Sequence, residues 1–194
     1  MGWWTTIRGV GAAFGFLEPT YLPIACSLGQ TVYRETKRSA QIANVRRPWR
    51  RMQPATERLM AHLFPELDVE RIRYRTGCRL PPNRFKADGN VLAMTFGYTI
   101  YWRGELDETK PRDVVNLIHE VMHVDQVRRH GGEKAFACAY GKGYVEGGGQ
   151  LPASISKPTA YHRNPLEAEA YTFEARFQDA KGRAVPSLIP WQAA

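Results

Sequence analysis

The chain has 194 residues, of which 43% are hydrophobic and 24% charged, and a net charge of +8. That length is enough for one domain with a real core, and the ordinary composition excludes a fibrous or a wholly disordered protein. No apolar run approaches the roughly 20 residues of a membrane span, so an integral membrane helix is not expected. The three cysteines, Cys26, Cys78 and Cys138, are far apart and form no C-x-x-C. They predict no disulfide framework, three small buried hydrophobes and a reducing compartment.

At the N-terminus, Ile7–Leu17 is apolar but Gly-rich, and it lacks a basic start. It makes a poor signal peptide, which predicts a cytoplasmic protein or one exported without a recognisable signal. Gly2 with Thr6 fits the bare myristoylation pattern, which has meaning only in a eukaryotic host. Trp3, Trp4, Phe14 and Phe16 read either as packing residues or as a membrane or partner contact. Residues 1–53 hold eight basic and two acidic side chains, +6 of the total +8. The densest run is Arg46-Arg47-Pro48-Trp49-Arg50-Arg51. The region 34–51 is therefore a candidate contact for an acidic partner or an anionic surface, or simply a solvated face. No nucleic-acid motif accompanies the charge. This basic N-terminal segment is expected to be peripheral and partly helical, around Leu28–Ala43. A domain over 54–180 follows, and a tail over 181–194.

Pro54–Phe64 reads as a short helix closed by Pro65, with His62 a surface or packing residue. Val69–Thr76 alternates and reads as a strand. Residues 77–90, with Pro81-Pro82 and Asp88-Gly89-Asn90, form a loop. Val91–Trp102 carries the strongest β signal in the chain, and Gly97 within it suggests a bulge or a close backbone approach.

The next segment, around Asp113–Gln126, reads as an amphipathic helix that ends near Arg128, Arg129 and His130. Val114, Val115, Ile118, Val121 and Met122 form its apolar stripe. Pro111 suits the first turn, Asp107 or Thr109 is a possible cap, and Gly131-Gly132 is the stop. Within it lies His119-Glu120-Val-Met-His123, one H-E-x-x-H. Residues four apart on a helix differ by roughly 40° around the axis and about 6 Å along it. The two imidazoles therefore point the same way and can close on one ion, with Glu120 beside them to hold a water.

Two histidines hold a metal poorly, and a catalytic zinc site has three protein ligands and an open position. The candidates for the third are His130, His162, Asp125, Glu146, Glu167 and Glu169. The longer pattern H-E-x-x-H-x-x-G-x-x-H fails, because Gln126 and Arg129 occupy its Gly and third His positions and His130 is one residue off. Asp125 is turned away from the pair. A glutamate from a later helix remains. Glu133–Tyr144 reads as one such later helix and 150–164 as loop. Asn164 then caps a helix over 164–177 that begins Pro165-Leu166-Glu167-Ala168-Glu169-Ala170.

The H-E-x-x-H followed on a separate helix by E-x-x-A resembles the gluzincin branch of zincin metallopeptidases, and is similar to small bacterial zincin-like domains. The resemblance spans roughly Val69 to Phe177. It implies a small α+β zincin-like domain, a short sheet packed on the H-E-x-x-H helix, and an edge strand within Val91–Trp102 lining the cleft. It also implies one Zn²⁺ held by His119, His123 and Glu167, with Glu169 as the fallback. Related enzymes often have E-x-x-A-D, whose Asp supports a ligand histidine; Tyr171 stands in that place here.

The implied activity is hydrolysis of peptide bonds in a protein or peptide substrate by a zinc-bound water that Glu120 activates. Tyr140, Tyr144, Tyr161 and His162 are possible oxyanion donors. A zincin-scaffold binding or assembly protein with little or no proteolytic activity is the alternative. A nucleic-acid-binding protein with an incidental motif is the third reading.

Overall fold

The computed structural model describes residues 18–81, 91–149 and 158–188. The expectations on Gly2, Thr6, Trp3, Trp4, Phe14 and Phe16 lie outside the described residues. The elements run α1 (Glu18–Ala43), α2 (Pro54–Leu63), β1 (Arg73–Arg75), β2 (Ala93–Phe96), β3 (Thr99–Trp102), α3 (Pro111–Arg129), α4 (Glu133–Glu146), α5 (Pro158–Arg163) and α6 (Pro165–Glu174). Short 3₁₀ turns occupy Val69–Arg71, Ala175–Phe177 and Pro186–Leu188. The fold is mixed α+β, the class that the resemblance implied.

The sheet has the order β1-β3-β2, with β1 parallel and β2 antiparallel to β3. Val91–Trp102 is thus a hairpin and not one bulged strand. Phe96 pairs with Thr99, so Gly97 and Tyr98 form a two-residue turn. Gly97 takes φ 59°, which only glycine adopts freely, and a glycine heading a two-residue hairpin turn matches the twist of the strands. The Val69–Thr76 strand shortens for a similar local reason: Ile72 N–H closes a turn on the Val69 carbonyl, and only Arg73–Arg75 joins the sheet.

Alternation divides the sheet between two layers. Tyr74, Ala93, Ile100 and Trp102 join the main core, which α2 and α3 build with Leu59, Met60, Val114, Ile118 and Val121. Met94, Phe96 and Tyr101 face the other way, onto Ala40 and Tyr33 of α1. The segment expected to be peripheral therefore covers one face of the sheet. The Arg-rich run after α1 is held as well. Arg75 stacks its guanidinium 3.7 Å from the Trp49 ring centre, and Arg50 exchanges backbone hydrogen bonds with Tyr74. Arg34, Arg38, Arg46, Arg47, Arg50 and Arg51 remain exposed.

The longest helix–helix contact joins α1 to α4. Here the cysteine reading is corrected: Cys26 and Cys138 form a disulfide across this contact, and Cys78 alone is free and buried. The bonded residues lie 112 positions apart. Spacing alone therefore carries no sign of the pair. Three residues on from each, Gly29 and Gly141 bring the backbones together. A Cβ on Gly141 would lie 2.7 Å from the Ala25 carbonyl oxygen and 2.8 Å from the Gly29 Cα. Both are backbone atoms, so the helices would have to part. Gly141→Ala is expected to cost about 1–3 kcal/mol in urea denaturation, as overpacking does. It should do so despite the roughly 1 kcal/mol by which alanine favours a helix over glycine.

Candidate metal centre

α3 starts as the sequence reading expected, with Pro111 in its first turn, but its N-cap is Lys110 with no side-chain cap. Asp107 instead accepts from the Thr109 amide and hydroxyl, and Asp113 accepts from the Asp107 amide. The helix ends at Gly131 and Gly132, with φ of 80° and 124°. Val114, Val115, Leu117, Ile118, Val121 and Val124 are buried, which fixes the rotation of α3 and aims His119 and His123 at α6.

The structure brings His119, His123 and Glu167 together. Their donor atoms all lie within 4.8 Å of one another, and all three side chains are buried. His119 Nε2 is 3.2 Å from His123 Nε2. Glu167 Oε2 is 3.6 Å from His119 Nε2, and Oε1 is 3.7 Å from His123 Nε2. A tetrahedral ion with ligands at about 2.0–2.2 Å sets its donors roughly 3.3–3.6 Å apart, close to these values. Among the described residues, the buried Glu167 Oε2 has no hydrogen-bond partner. A buried orphan acceptor costs about 1–3 kcal/mol, more when charged, so this oxygen is placed for a cation. Two imidazole nitrogens and a carboxylate suit zinc and several other divalent ions.

Hydrogen bonds fix the orientation of each group. His119 Nδ1 is 2.9 Å from Glu174 Oε2, and His123 Nδ1 is 2.8 Å from Gln126 Oε1. An Nδ1–H donated outward leaves each Nε2 lone pair free for the ion. Gln126, wholly buried, donates in turn to the Leu166 carbonyl and to Glu169 Oε2. Glu169 also pairs with Arg129 at 2.8 Å, so it braces α3 against α6 and does not reach the centre. Tyr140 donates to Glu167 Oε1 at 2.6 Å.

At the Asp position of the E-x-x-A-D pattern stands Tyr171, whose ring lies 4.7 Å from that of His119, and it is Glu174 that makes the hydrogen bond to this imidazole. Glu174→Ala is expected to weaken metal binding about 10–100-fold, the usual cost of losing such a support. Competition with a chromophoric chelator measures it, and Glu174→Gln, which keeps an acceptor, should lose less.

The electrostatics favour a cation. Burial alone would drive the proton off His119, yet the Glu167 and Glu174 carboxylates and the Glu120 charge outweigh it and raise its pKa to about 10. His123 is raised for the same kind of reason, with Glu167 its main partner. Burial also opposes charge on Glu167, but His123 and His119 hold its carboxyl well below the usual range. Burial, reinforced by Glu167, pushes the Tyr140 and Tyr161 hydroxyls up, so both stay protonated donors.

Glu120 lies beside the triad, and Thr95 of β2 donates to its Oε2 at 2.5 Å. A cavity of about 100 Å³ opens here, bounded by α1, β2, α4 and by Glu120, His123 and Glu167. A second hollow reaches the other side of His119, past Leu92, Asn116 and Tyr171. Tyr161 borders both.

The other sequence candidates lie elsewhere. His62, His130, His162 and Glu146 are exposed, and Asp125 pairs with Arg128 and Arg129. Tyr144 is buried in a separate cluster with Ala160. Sequence reasoning missed Glu174, Gln126 and Thr95. Glu174 had a signal: it follows Glu167 by seven residues, about two turns, and so shares its face.

Residues 51–131 match the model of the eCIS core domain. No curated protein and no solved structure matches the chain. The matched stretch is under half of the sequence; it holds the sheet and α3 with both histidines, and it stops before Glu167. Over that stretch, the chain is similar to the eCIS core domain.

Proposed function

We propose that the protein is a zinc-dependent endopeptidase of the gluzincin type, with His119, His123 and Glu167 as ligands and Glu120 as general base. The observation that carries this reading is the buried His-His-Glu group with an orphaned carboxylate oxygen and a carboxylate neighbour. β2 pairs only with β3, which leaves its far edge unpaired within the described sheet. An extended peptide adds to that edge through backbone hydrogen bonds, which sets its scissile carbonyl over the triad. Bound zinc supplies Lewis acidity to a water and to that carbonyl. Glu120, held by Thr95, takes the water's proton and delivers it to the leaving amine. Tyr161 donates to the oxygen on which negative charge develops, which its retained proton allows. The partner is a protein or peptide substrate. Among the described residues no helix is long and apolar enough to cross a membrane.

The test is metal analysis joined to cleavage profiling. The purified protein is expected to hold one zinc per chain and to generate new peptide termini in a denatured protein mixture. A chelator should abolish cleavage and added zinc restore it.

A second reading is favoured by the match to the eCIS core domain, named for extracellular contractile injection systems. In it the same scaffold serves assembly, with little or no proteolysis, and the exposed arginines of 34–51 meet an acidic partner.

A further inference from the structure

We infer that the cavity between α1, β2 and α4 is a side-chain pocket that selects substrates with a medium-sized aliphatic residue beside the scissile bond. This rests on the peptidase reading above. The walls are Val32 and Tyr33 of α1, Met94 and Phe96 of β2, and Phe136 and Ala137 of α4. Among the described residues, the charged lining groups are Glu120, His123 and Glu167, at the end that holds the candidate metal centre. A buried polar side chain would find few partners along the other walls, so the pocket favours an apolar one.

Its size narrows the choice. An apolar cavity of about 150 Å³ accepts a benzene ring. The present one is about 100 Å³, which suits leucine, isoleucine or methionine better than an aromatic residue. The floor cannot recede, because Gly29 and Gly141 already bring α1 and α4 into backbone contact and Cys26–Cys138 ties them. Tyr33 fixes the rim by accepting from the Gly97 amide at 3.0 Å, and Lys37 joins Glu133 at 2.6 Å. Selectivity would thus come largely from α1, which lies outside the stretch similar to the eCIS core domain.

Peptidyl hydroxamates test the pocket without any turnover. The zinc-loaded full chain is titrated with acetohydroxamate, which has no side chain, and with one peptidyl hydroxamate carrying Ala, Leu or Phe. A missing methylene in such a pocket costs about 10-fold or more, so Leu should bind at least 100-fold tighter than Ala, and tighter than Phe. Val32→Ala, a change that removes bulk from one wall, should shift the optimum toward Phe and leave acetohydroxamate unchanged. If acetohydroxamate binds and Ala, Leu and Phe are equal, the pocket is not a subsite. If Val32→Ala leaves the order of the three unchanged, α1 does not set the selection. A chain that takes up no zinc and binds no hydroxamate overturns the peptidase reading itself, and the pocket as a subsite with it.

Discussion

Glu120→Gln is expected to lower peptide hydrolysis by about 10²–10⁴-fold while the protein keeps its metal, because general-base catalysis is worth that much. Glutamine has nearly the same shape and still accepts the Thr95 hydroxyl through its side-chain oxygen, so the fold and the triad should be undisturbed. The amide cannot take a proton from water. The measurement is kcat on a peptide identified by cleavage profiling, with zinc per chain and thermal midpoint on the same samples. Equal kcat in the two proteins would take Glu120 out of the reaction. Loss of cleavage with full retention of the biological effect would favour the assembly reading. Loss of both places the effect downstream of hydrolysis.

Removal of the Cys26–Cys138 bridge carries the largest expected change in stability. The bond closes a loop with a sequence separation of 112. On a chain-entropy account a bridge over about 100 residues contributes about 4.7 kcal/mol, and native bridges commonly contribute 2–5 kcal/mol. The Cys26→Ser, Cys138→Ser double variant should fall by an amount in this range in urea denaturation at unchanged ionic conditions. Thiol titration of the unfolded, unreduced wild type should find one free thiol, that of Cys78. Three free thiols would remove the bridge from the account of α1. The variant should also show faster amide exchange in α1 and α4 before global unfolding, since those two helices lose their covalent tie.

Much of the centre was legible because helix periodicity is a local rule. The placement of His119, Glu120 and His123 on a buried face follows from residues within two turns of one another. Asn164 and Pro165 announced the start of the helix that bears Glu167, and the Asn164 side chain does cap it, accepting from the Leu166 amide. What was not legible depends on separation. The disulfide and the Gly29–Gly141 approach join helices more than a hundred residues apart, and nothing local distinguishes them. The same holds for α1 as a wall of the cleft: a helix within a basic segment reads as peripheral until its Tyr33 is seen against Phe96 of β2. The hairpin was missed for a different reason. Gly97-Tyr98 is too short a break to stand out in a run of aromatic and β-branched residues.

The ligand set straddles a boundary. Both imidazoles and Glu120 come from the stretch that ends at residue 131, whereas the carboxylate arrives with α6, more than thirty residues later. A fragment cut after Gly131 would retain the signature motif and forfeit the third donor, along with Glu174 behind His119. It should bind zinc feebly and reversibly. In the full chain a bound ion would rivet the two portions together, so loading with metal should protect α6 from proteolysis and chelation should expose it.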